Sequence, residues 1–331
     1  MKNKTALIRR AAFSALLLSA SLSFSNICVA TQPLQEKILL FPNEAGYGNL
    51  SKITVSNPLE LRVQRAPLGI ARGTVKVPAN VRVYYEPGPR FFQNPQILLK
   101  LPPNSIDYIK MQFTPMGDGE ERMSDHAVEY VAHLTGLRIV DFDKSDTSDA
   151  GAAKVAGMPN LIGLSSCESL ITGTCLKSLS TCPKLEVMRL GSLQVSNESL
   201  RFLKDFKSLK RMDLNRAGLN SVGIQHLAAC TNLLHLDISG NPKINGKDLS
   251  KLIALKKLKV INLRDTHVPI ADIKAFANNR RITVIMPRML AQYSKGDRDQ
   301  IKTIHGDLLF DFDSKLVNPD MKTIFGTVNR K

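Results

Sequence analysis

The chain has 331 residues, of which 43% are apolar and 6% aromatic, and its formal charge at pH 7 is +16. Beyond the N-terminal segment, no stretch approaches the roughly 20 apolar residues that a spanning helix needs, so we do not expect a membrane-spanning protein. A length of about 300 residues after that segment exceeds a typical single hydrophobic core, unless the fold is an elongated repeat that buries its apolar surface unit by unit.

The first 30 residues have the composition of a signal peptide. An apolar stretch at 11–24 follows four basic residues, and Cys28-Val29-Ala30 supplies small residues at the usual cleavage positions. Residues 25–27 do not form the small-residue box that a lipoprotein needs before its cysteine. We therefore expect cleavage near Ala30 and a soluble exported product, either secreted or held in the periplasm or cell envelope of a bacterium. The four basic residues are Lys2, Lys4, Arg9 and Arg10.

Residues 31–103 consist of short alternating or β-branched runs separated by Pro, Gly and Asn, which is typical of a small antiparallel β-domain. Because an exposed sheet edge invites unwanted pairing, we expect this domain to cap the first unit of the repeat that follows it. The predicted strands lie at 37–41, 52–56, 61–65, 73–78, 81–85 and 96–101.

A repeat organises residues 104–288. Apolar residues open successive Leu-x-x-Leu-x-Leu-like runs at spacings of 24, 24, 24, 24, 25 and 24 residues. Alternation within each run predicts a strand with one buried face. The openings are Leu137, Leu161, Leu185, Leu209, Leu233, Leu258 and Ile282.

Two further apolar columns lie later in each unit, three residues apart, and this spacing predicts a short helix. A less regular unit precedes the others, with Ile109 in its strand and an exposed loop at 115–121, so we count about seven units. The helix columns are Ala152, Leu176, Leu200, Ile224, Leu249 and Ile273, then Val155, Leu179, Leu203, Leu227, Leu252 and Phe276.

This pattern resembles the leucine-rich-repeat superfamily, and its unit length is similar to that of the cysteine-containing and ribonuclease-inhibitor-like subclasses. The resemblance implies an α/β solenoid in which a parallel β-sheet lines the concave side and short helices line the convex side. Residues 71–78 followed by Leu101-Pro102-Pro103 are similar to the module that precedes the repeats in some bacterial members, for which no activity is implied. The family often has Asn at the turn after the strand. Only Asn241 clearly occupies that place here, so an Asn ladder is not expected to be a main stabiliser.

The repeat is expected to stop after Arg288, leaving a polar tail at 289–331. The stretch 308–316 followed by Pro319 resembles the opening of an outer-membrane-protein-A-like peptidoglycan-binding domain, but few residues follow it. A short strand or helix docked on the solenoid, or disorder, is the preferred interpretation of the tail.

Cysteine and histidine positions give no sign of a metal centre, a cofactor or an active site. Cys182 and Cys230 fall in an apolar core column two repeats apart, at about 10 Å, which is too far for a disulfide. A bridge between Cys167 and Cys175 stays open as an alternative. The sequence contains no C-x-x-C pair and no common nucleophile or nucleotide-binding motif. We therefore predict a non-enzymatic protein without cofactor or metal, although a triad assembled across strands of the concave face stays open.

The concave face is where we expect binding, since a solenoid offers an extended surface there. Arg supplies bidentate contacts to carboxylate or phosphate, while Asp, Asn and His add hydrogen bonds. An alternative interpretation is that these charges pair with one another. The candidate binding residues are Arg189, Arg211, Asp213, Asn215, His235, Asp237, Asn262 and Arg264.

Two functions fit these features. The leading hypothesis is an exported scaffold that binds a protein or peptide partner on its concave face. The alternative is an envelope-associated binder of anionic cell-wall polymer or lipid headgroups, because residues 177–288 carry 20 basic and 8 acidic residues. Nucleic acid is not an expected partner, since the chain is exported and its basic residues are not interleaved with aromatics.

Overall fold

The computed structural model describes residues 36–56, 61, 63–115, 122–192, 194–280, 282–288, 292–305 and 307–309. The predicted signal peptide, most of the loop predicted at 115–121 and the residues after 309 lie outside the described residues. The description below concerns the unit that begins at Gln35.

Five strands form the N-terminal part of this unit. The first and fourth pair antiparallel as a separate two-stranded sheet. The second pairs antiparallel with both the third and the fifth, and the fifth pairs in parallel with the first repeat strand. The N-terminal strands thus continue the repeat sheet and cover its edge, as expected. They are β1 (Lys37–Leu40), β2 (Gly48–Ser56), β3 (Val63–Ile70), β4 (Thr74–Val77) and β5 (Val83–Pro87).

The strand predicted at 96–101 is wrong. Helix α1 (Pro89–Gln93) is followed by a 3-10 helix at Pro95–Lys100, and each begins with a proline whose fixed φ favours a first helical turn. Ile97 and Leu98 are buried, Leu99 is exposed, and Leu101 is buried again. This sequence of buried and exposed residues is typical of a helix. The run of leucines had suggested a strand.

Nine short parallel strands follow, each three residues long. Together with β5, β2 and β3 they form one 12-stranded sheet in which the repeat strands lie side by side in chain order. This architecture confirms the leucine-rich-repeat solenoid. The strands are β6 (Tyr108–Lys110), β7 (Ile139–Asp141), β8 (Gly163–Ser165), β9 (Val187–Arg189), β10 (Arg211–Asp213), β11 (His235–Asp237), β12 (Val260–Asn262), β13 (Thr283–Ile285) and β14 (Asp307–Leu309).

Helical segments connect the strands and form the second layer. They are α2 (Met123–Val131), α3 (Asp149–Ala153), α4 (Leu176–Leu179), a 3-10 helix at Glu198–Asp205, α5 (Ser221–Leu227), α6 (Gly246–Lys251) with a 3-10 turn at Leu252–Ala254, α7 (Ile270–Arg280) and α8 (Lys295–Ile301). The core lies between these helices and the sheet. All seven opening residues and both helix columns are buried in it, as are Cys182 and Cys230, so these predictions are confirmed. Cys167 and Cys175 are free thiols, so the bridge left open between them is not formed.

The repeat extends beyond the boundary expected at Arg288. Helix α8 and strand β14 continue the solenoid, and Asp307–Leu309 pairs in parallel with Thr283–Ile285. Tyr293, Ile301 and Ile304 bury their side chains in the same core. This last unit has few leucines, so its sequence does not show the Leu-x-x-Leu-x-Leu-like pattern of the other units.

Polar side chains link successive repeats through backbone groups. Asn241 accepts hydrogen bonds from the Ala217 and Leu219 amides at 3.1 and 2.9 Å, which join it to the preceding repeat. A second set of such bonds lies at the helix starts, where Asp149 accepts from the Thr172, Gly173 and Cys175 amides at 2.8–3.0 Å. These bonds lower the pKa of Asp149, although its partial burial acts in the opposite direction. Side-chain acceptors at the helix starts, as well as Asn241, thus connect successive repeats.

One backbone feature repeats after five of the strands and has no sequence signature. The residue at this place adopts the left-handed backbone conformation, which favours glycine. Only Gly240 is a glycine there, and the five non-glycine residues have φ between 52° and 58°. Each costs about 1 kcal/mol relative to glycine. The tight turn that leads out of each strand imposes the conformation whatever the side chain. The residues are Lys144, Glu168, Ser192, Arg216 and Asp265.

Candidate partner-binding face

The first and third residues of each repeat strand face away from the core, while the middle residue is buried in it. Register places Arg211 beside His235 and Asp213 beside both Arg189 and Asp237. Asn262 pairs in turn with Asp237. Six of the eight candidate residues therefore form one continuous group on β9–β12. The other two, Asn215 and Arg264, lie just beyond β10 and β12.

An ionic network occupies the middle of this face. Arg211 donates from Nε and Nη2 to the two carboxylate oxygens of Asp213 at 3.0 Å each. Arg189 Nε lies 3.4 Å from Asp213 Oδ2, and Arg189 Nη1 lies 3.9 Å from Asp143 Oδ2. Asp213 is only 5% exposed. The arginines are thus largely compensated by carboxylates, as the alternative interpretation of the sequence held.

A second polar group continues the network across β11 and β12. Asp237 accepts from the Ser239 amide at 2.9 Å and from Ser239 Oγ at 2.6 Å, while Asn262 Nδ2 donates to its other oxygen at 2.9 Å. Burial, together with the neighbouring charge of Asp213, raises the pKa of Asp237. Arg264 donates its backbone amide to Asn262 Oδ1 at 3.1 Å. The amide of Asn215 rests on Gly191, where an added Cβ would lie 2.0 Å from Asn215 Oδ1.

His235 lies among these charges and is only 5% exposed. Burial, reinforced by the positive charge of Arg211, lowers the pKa of His235 from 6.5 to about 4. The imidazole is therefore neutral at neutral pH.

This neutral histidine makes stability depend on pH. The unfolded chain takes up a proton at His235 below about pH 6.5 but the folded chain resists it until about pH 4, so stability present above pH 6.5 is lost as the pH falls. We expect His235→Gln to reduce the stability difference between pH 7 and pH 4.5 by about 2.5 kcal/mol. Chemical unfolding of both proteins at the two pH values measures this. The other titrating groups are the same in wild type and variant, so the comparison isolates the effect of His235. His305→Gln, at an exposed histidine, is the matched control. Equal pH dependence in wild type and His235→Gln would contradict the assignment.

The N-terminal half of the concave face is covered by the chain itself. Leu61, between β2 and β3, is 4% exposed and packs with outward-facing residues of β5, β6, β7 and β9. It sits over Gly163 of β8, where an added Cβ would lie 2.2 Å from Leu61 Cδ2. The residues beneath it are Tyr84, Tyr108, Ile139 and Val187.

The repeat pattern does not predict this cover, because Leu61 lies outside the repeats. The signal that could have found it is the run of apolar residues at the first, outward position of β6, β7 and β9, followed by polar residues at that position of β10 and β11. A soluble protein rarely leaves such an apolar strip open to water.

Tyr108 and Asp141 join the covered part of the face to the ionic network. The Tyr108 hydroxyl donates to Asp141 Oδ2 at 2.9 Å. Burial, followed by the charge of Asp143, raises the pKa of Asp141 to about 6. Asp143 accepts from Ser165 Oγ at 2.6 Å and from the Cys167 amide at 2.7 Å, and it faces Arg189. The polar part of the face therefore begins at Arg189 and runs toward β12.

This arrangement is suited to binding by hydrogen bonds. Burial raises the pKa of the Cys167 thiol to about 11 despite the nearby Arg189 charge, so the thiol stays protonated at neutral pH.

Among the described residues, no group of three or more His, Cys, Asp or Glu side chains is arranged to hold a metal ion. None of the described helices combines the length and apolar composition needed to cross a bilayer.

Comparisons with known proteins give distant matches. No protein-family model matches the chain. Over 163 residues it is 27% identical to a protein of Trypanosoma equiperdum named "Putative adenylate cyclase regulatory protein", covering 49% of this chain and 25% of that protein. The chain thus spans about a quarter of the length of that curated relative.

Among solved structures, the chain is similar to an internalin C2 from Listeria monocytogenes. The TM-score is 0.44 at 15% identity, covering 67% of this chain and 93% of that chain. For a second internalin from the same bacterium the TM-score is 0.43 at 15% identity, covering 66% and 64%.

Proposed function

We propose that this chain is an exported scaffold that binds a protein or peptide partner on the polar part of its concave face, across β9–β12. The observation that carries the proposal is the contrast along the sheet. Its early strands are covered by Leu61, whereas the later strands present polar side chains in register on four adjacent strands. An extended solenoid sheet is a surface suited to a macromolecular partner.

The partner we propose is recognised chiefly by hydrogen bonding. Arg189 and Arg211 are compensated by Asp213 and Asp143, so this face has no excess of positive charge to attract an anion. Mutual hydrogen bonds hold Asp237, Asn262 and Ser239 in place before any partner arrives. Such preorganisation reduces the entropy lost on binding.

Export is part of the proposal and is supported by the N-terminal sequence alone. Four basic residues, an apolar stretch and small residues before Ala30 are typical of a signal peptide. Fractionation of cells that produce the full chain, with N-terminal sequencing of the product, tests it. A mature chain beginning near Thr31 outside the cytoplasm is the expected result, and an intact N-terminus in the cytoplasm would contradict it.

Site-specific photo-cross-linking tests the binding face. A photoreactive residue placed at Arg264 on the concave side should capture a partner that the same residue at Gln225, on exposed helix α5, does not capture. The captured protein is then purified and its affinity measured directly. We expect Arg264→Glu to lower the affinity for this partner at least about tenfold, which is the effect of losing one good interface contact. Gln225→Glu is the matched control, and equal capture from both faces would refute the proposal.

A further inference from the structure

A row of lysines in the later repeats lies at the edge of the solenoid, where the strands begin. Six lysines precede β9, β10 and β12 by one to four residues, and five of them are exposed. We call them the lysine row. They are Lys184, Lys207, Lys210, Lys256, Lys257 and Lys259.

Hydrogen bonds link lysines of this row to neighbouring repeats. Lys184 Nζ donates to Asn160 Oδ1 of the preceding repeat at 2.8 Å. Asn232 bridges the next units, donating to the Lys207 carbonyl at 3.0 Å and accepting from Lys257 Nζ at 2.7 Å. Since neighbouring strands lie about 4.8 Å apart, the cations follow one another along the edge at small multiples of that distance.

The charge of the row is largely retained. Lys184 and Lys257 contact amide oxygens, which are neutral and leave the ammonium charge uncompensated. Lys210 pairs with Glu186 at 2.9 Å. This differs from the concave face, where each of two arginines contacts a carboxylate.

We propose that the lysine row binds a linear polyanion, a flexible chain with a negative group on each unit. This goes beyond the proposed function, because it uses a different surface. Three features favour a linear polymer. The row follows the edge of the sheet, with one to three lysines before each of β9, β10 and β12, and lysine ammonium groups on flexible stems adapt to a moving chain of charges. The large apolar side chains exposed in the described part of the chain lie elsewhere, so the row offers nothing to insert into a membrane or to stack on a base.

Titration of the full chain with fluorescently labelled long-chain polyphosphate tests this proposal. The row variant changes Lys184, Lys207, Lys256 and Lys257 to Gln. The control variant changes Lys177, Lys204, Lys243 and Lys247 to Gln; these are exposed lysines away from the row, and the net charge falls equally. We expect the row variant to bind on the order of 100-fold more weakly at low salt and its salt slope to fall by about 3. The control should change less than about threefold.

Three outcomes would overturn the proposal: no salt-dependent binding by the wild type, equal weakening in both variants, or binding to vesicles containing phosphatidylglycerol but not to polyphosphate. Thermal unfolding of both variants verifies that they fold. Binding of the concave-face partner is measured in parallel, and it should be unaffected in the row variant. Failure of the two proposals is therefore distinguishable.

Discussion

Asp213→Ala is expected to lower the free energy of unfolding by about 3–5 kcal/mol, the usual cost of removing one partner from a buried ion pair. The Asp213 carboxylate contacts both Arg189 and Arg211 and is itself nearly inaccessible to water. Its removal leaves two largely desolvated guanidinium groups side by side, and the nearest remaining carboxylate contact of Arg189 is the 3.9 Å one to Asp143. Denaturant unfolding of the full chain measures the loss.

The matched control removes the charges together. Asp213→Ala combined with Arg189→Met and Arg211→Met keeps much of the side-chain volume and eliminates the repulsion. Replacing a buried ionic group with apolar residues is often neutral or stabilising, so the triple variant should recover most of the loss. Asp205→Ala, at an exposed carboxylate on the helix side, should change the stability by less than about 0.5 kcal/mol. A loss below about 1 kcal/mol for Asp213→Ala would mean that water screens the network far better than its burial indicates.

Leu61→Ala is expected to lower the free energy of unfolding by about 2–4 kcal/mol and to make the segment between β2 and β3 more accessible. Leu61 lies over Gly163 and belongs to one apolar cluster with Tyr84 and Tyr108, so truncation leaves a cavity at this face of the sheet. Denaturant unfolding and the rate of tryptic cleavage between β2 and β3 measure the two effects. The exposed Leu99→Ala should leave both nearly unchanged.

Gly163→Val tests the same contact from the other side. A Cβ at this position would lie 2.2 Å from Leu61 Cδ2, so the leucine must move away. The loss should be of similar size to that of Leu61→Ala. In the double variant the losses should fall short of additivity by about 1–2 kcal/mol, because either change alone breaks the contact. Strictly additive losses would show that Leu61 and Gly163 act independently.

Periodicity carried much of the fold prediction. Opening residues such as Leu137 and Leu233 and helix columns such as Leu200 are buried because a repeated unit places equivalent side chains in one core. The same reasoning predicted that the residues Arg211, Asp213, His235 and Asp237 would be neighbours, since parallel strands in register align equivalent positions. It failed at 96–101, where a run of leucines suggested a strand in place of a 3-10 helix, and at α8, which contains no leucine.

The candidate site was predicted as a set of positions, and its chemistry was not. Alignment of strands places Arg189 near Asp213, but which side chains pair depends on rotamers and on how much water the site excludes. The neutral state of His235 follows from burial together with the Arg211 charge, and no spacing reveals burial. The prediction that these residues bind a partner stays a prediction.

The sequence by itself determined the 24-residue unit, its buried columns and the strands that carry the candidate residues, because these depend on local periodicity repeated along the chain. Only the tertiary structure decided three other features. Leu61 lies over Gly163, about a hundred positions away in sequence, and no local pattern encodes such a contact. Lys144 and Glu168 take left-handed backbone angles because the turn requires them. Two arginines of the concave face contact carboxylates while Lys184 and Lys257 contact neutral amide oxygens, since such pairing is set by which side chains fold against each other and not by their number.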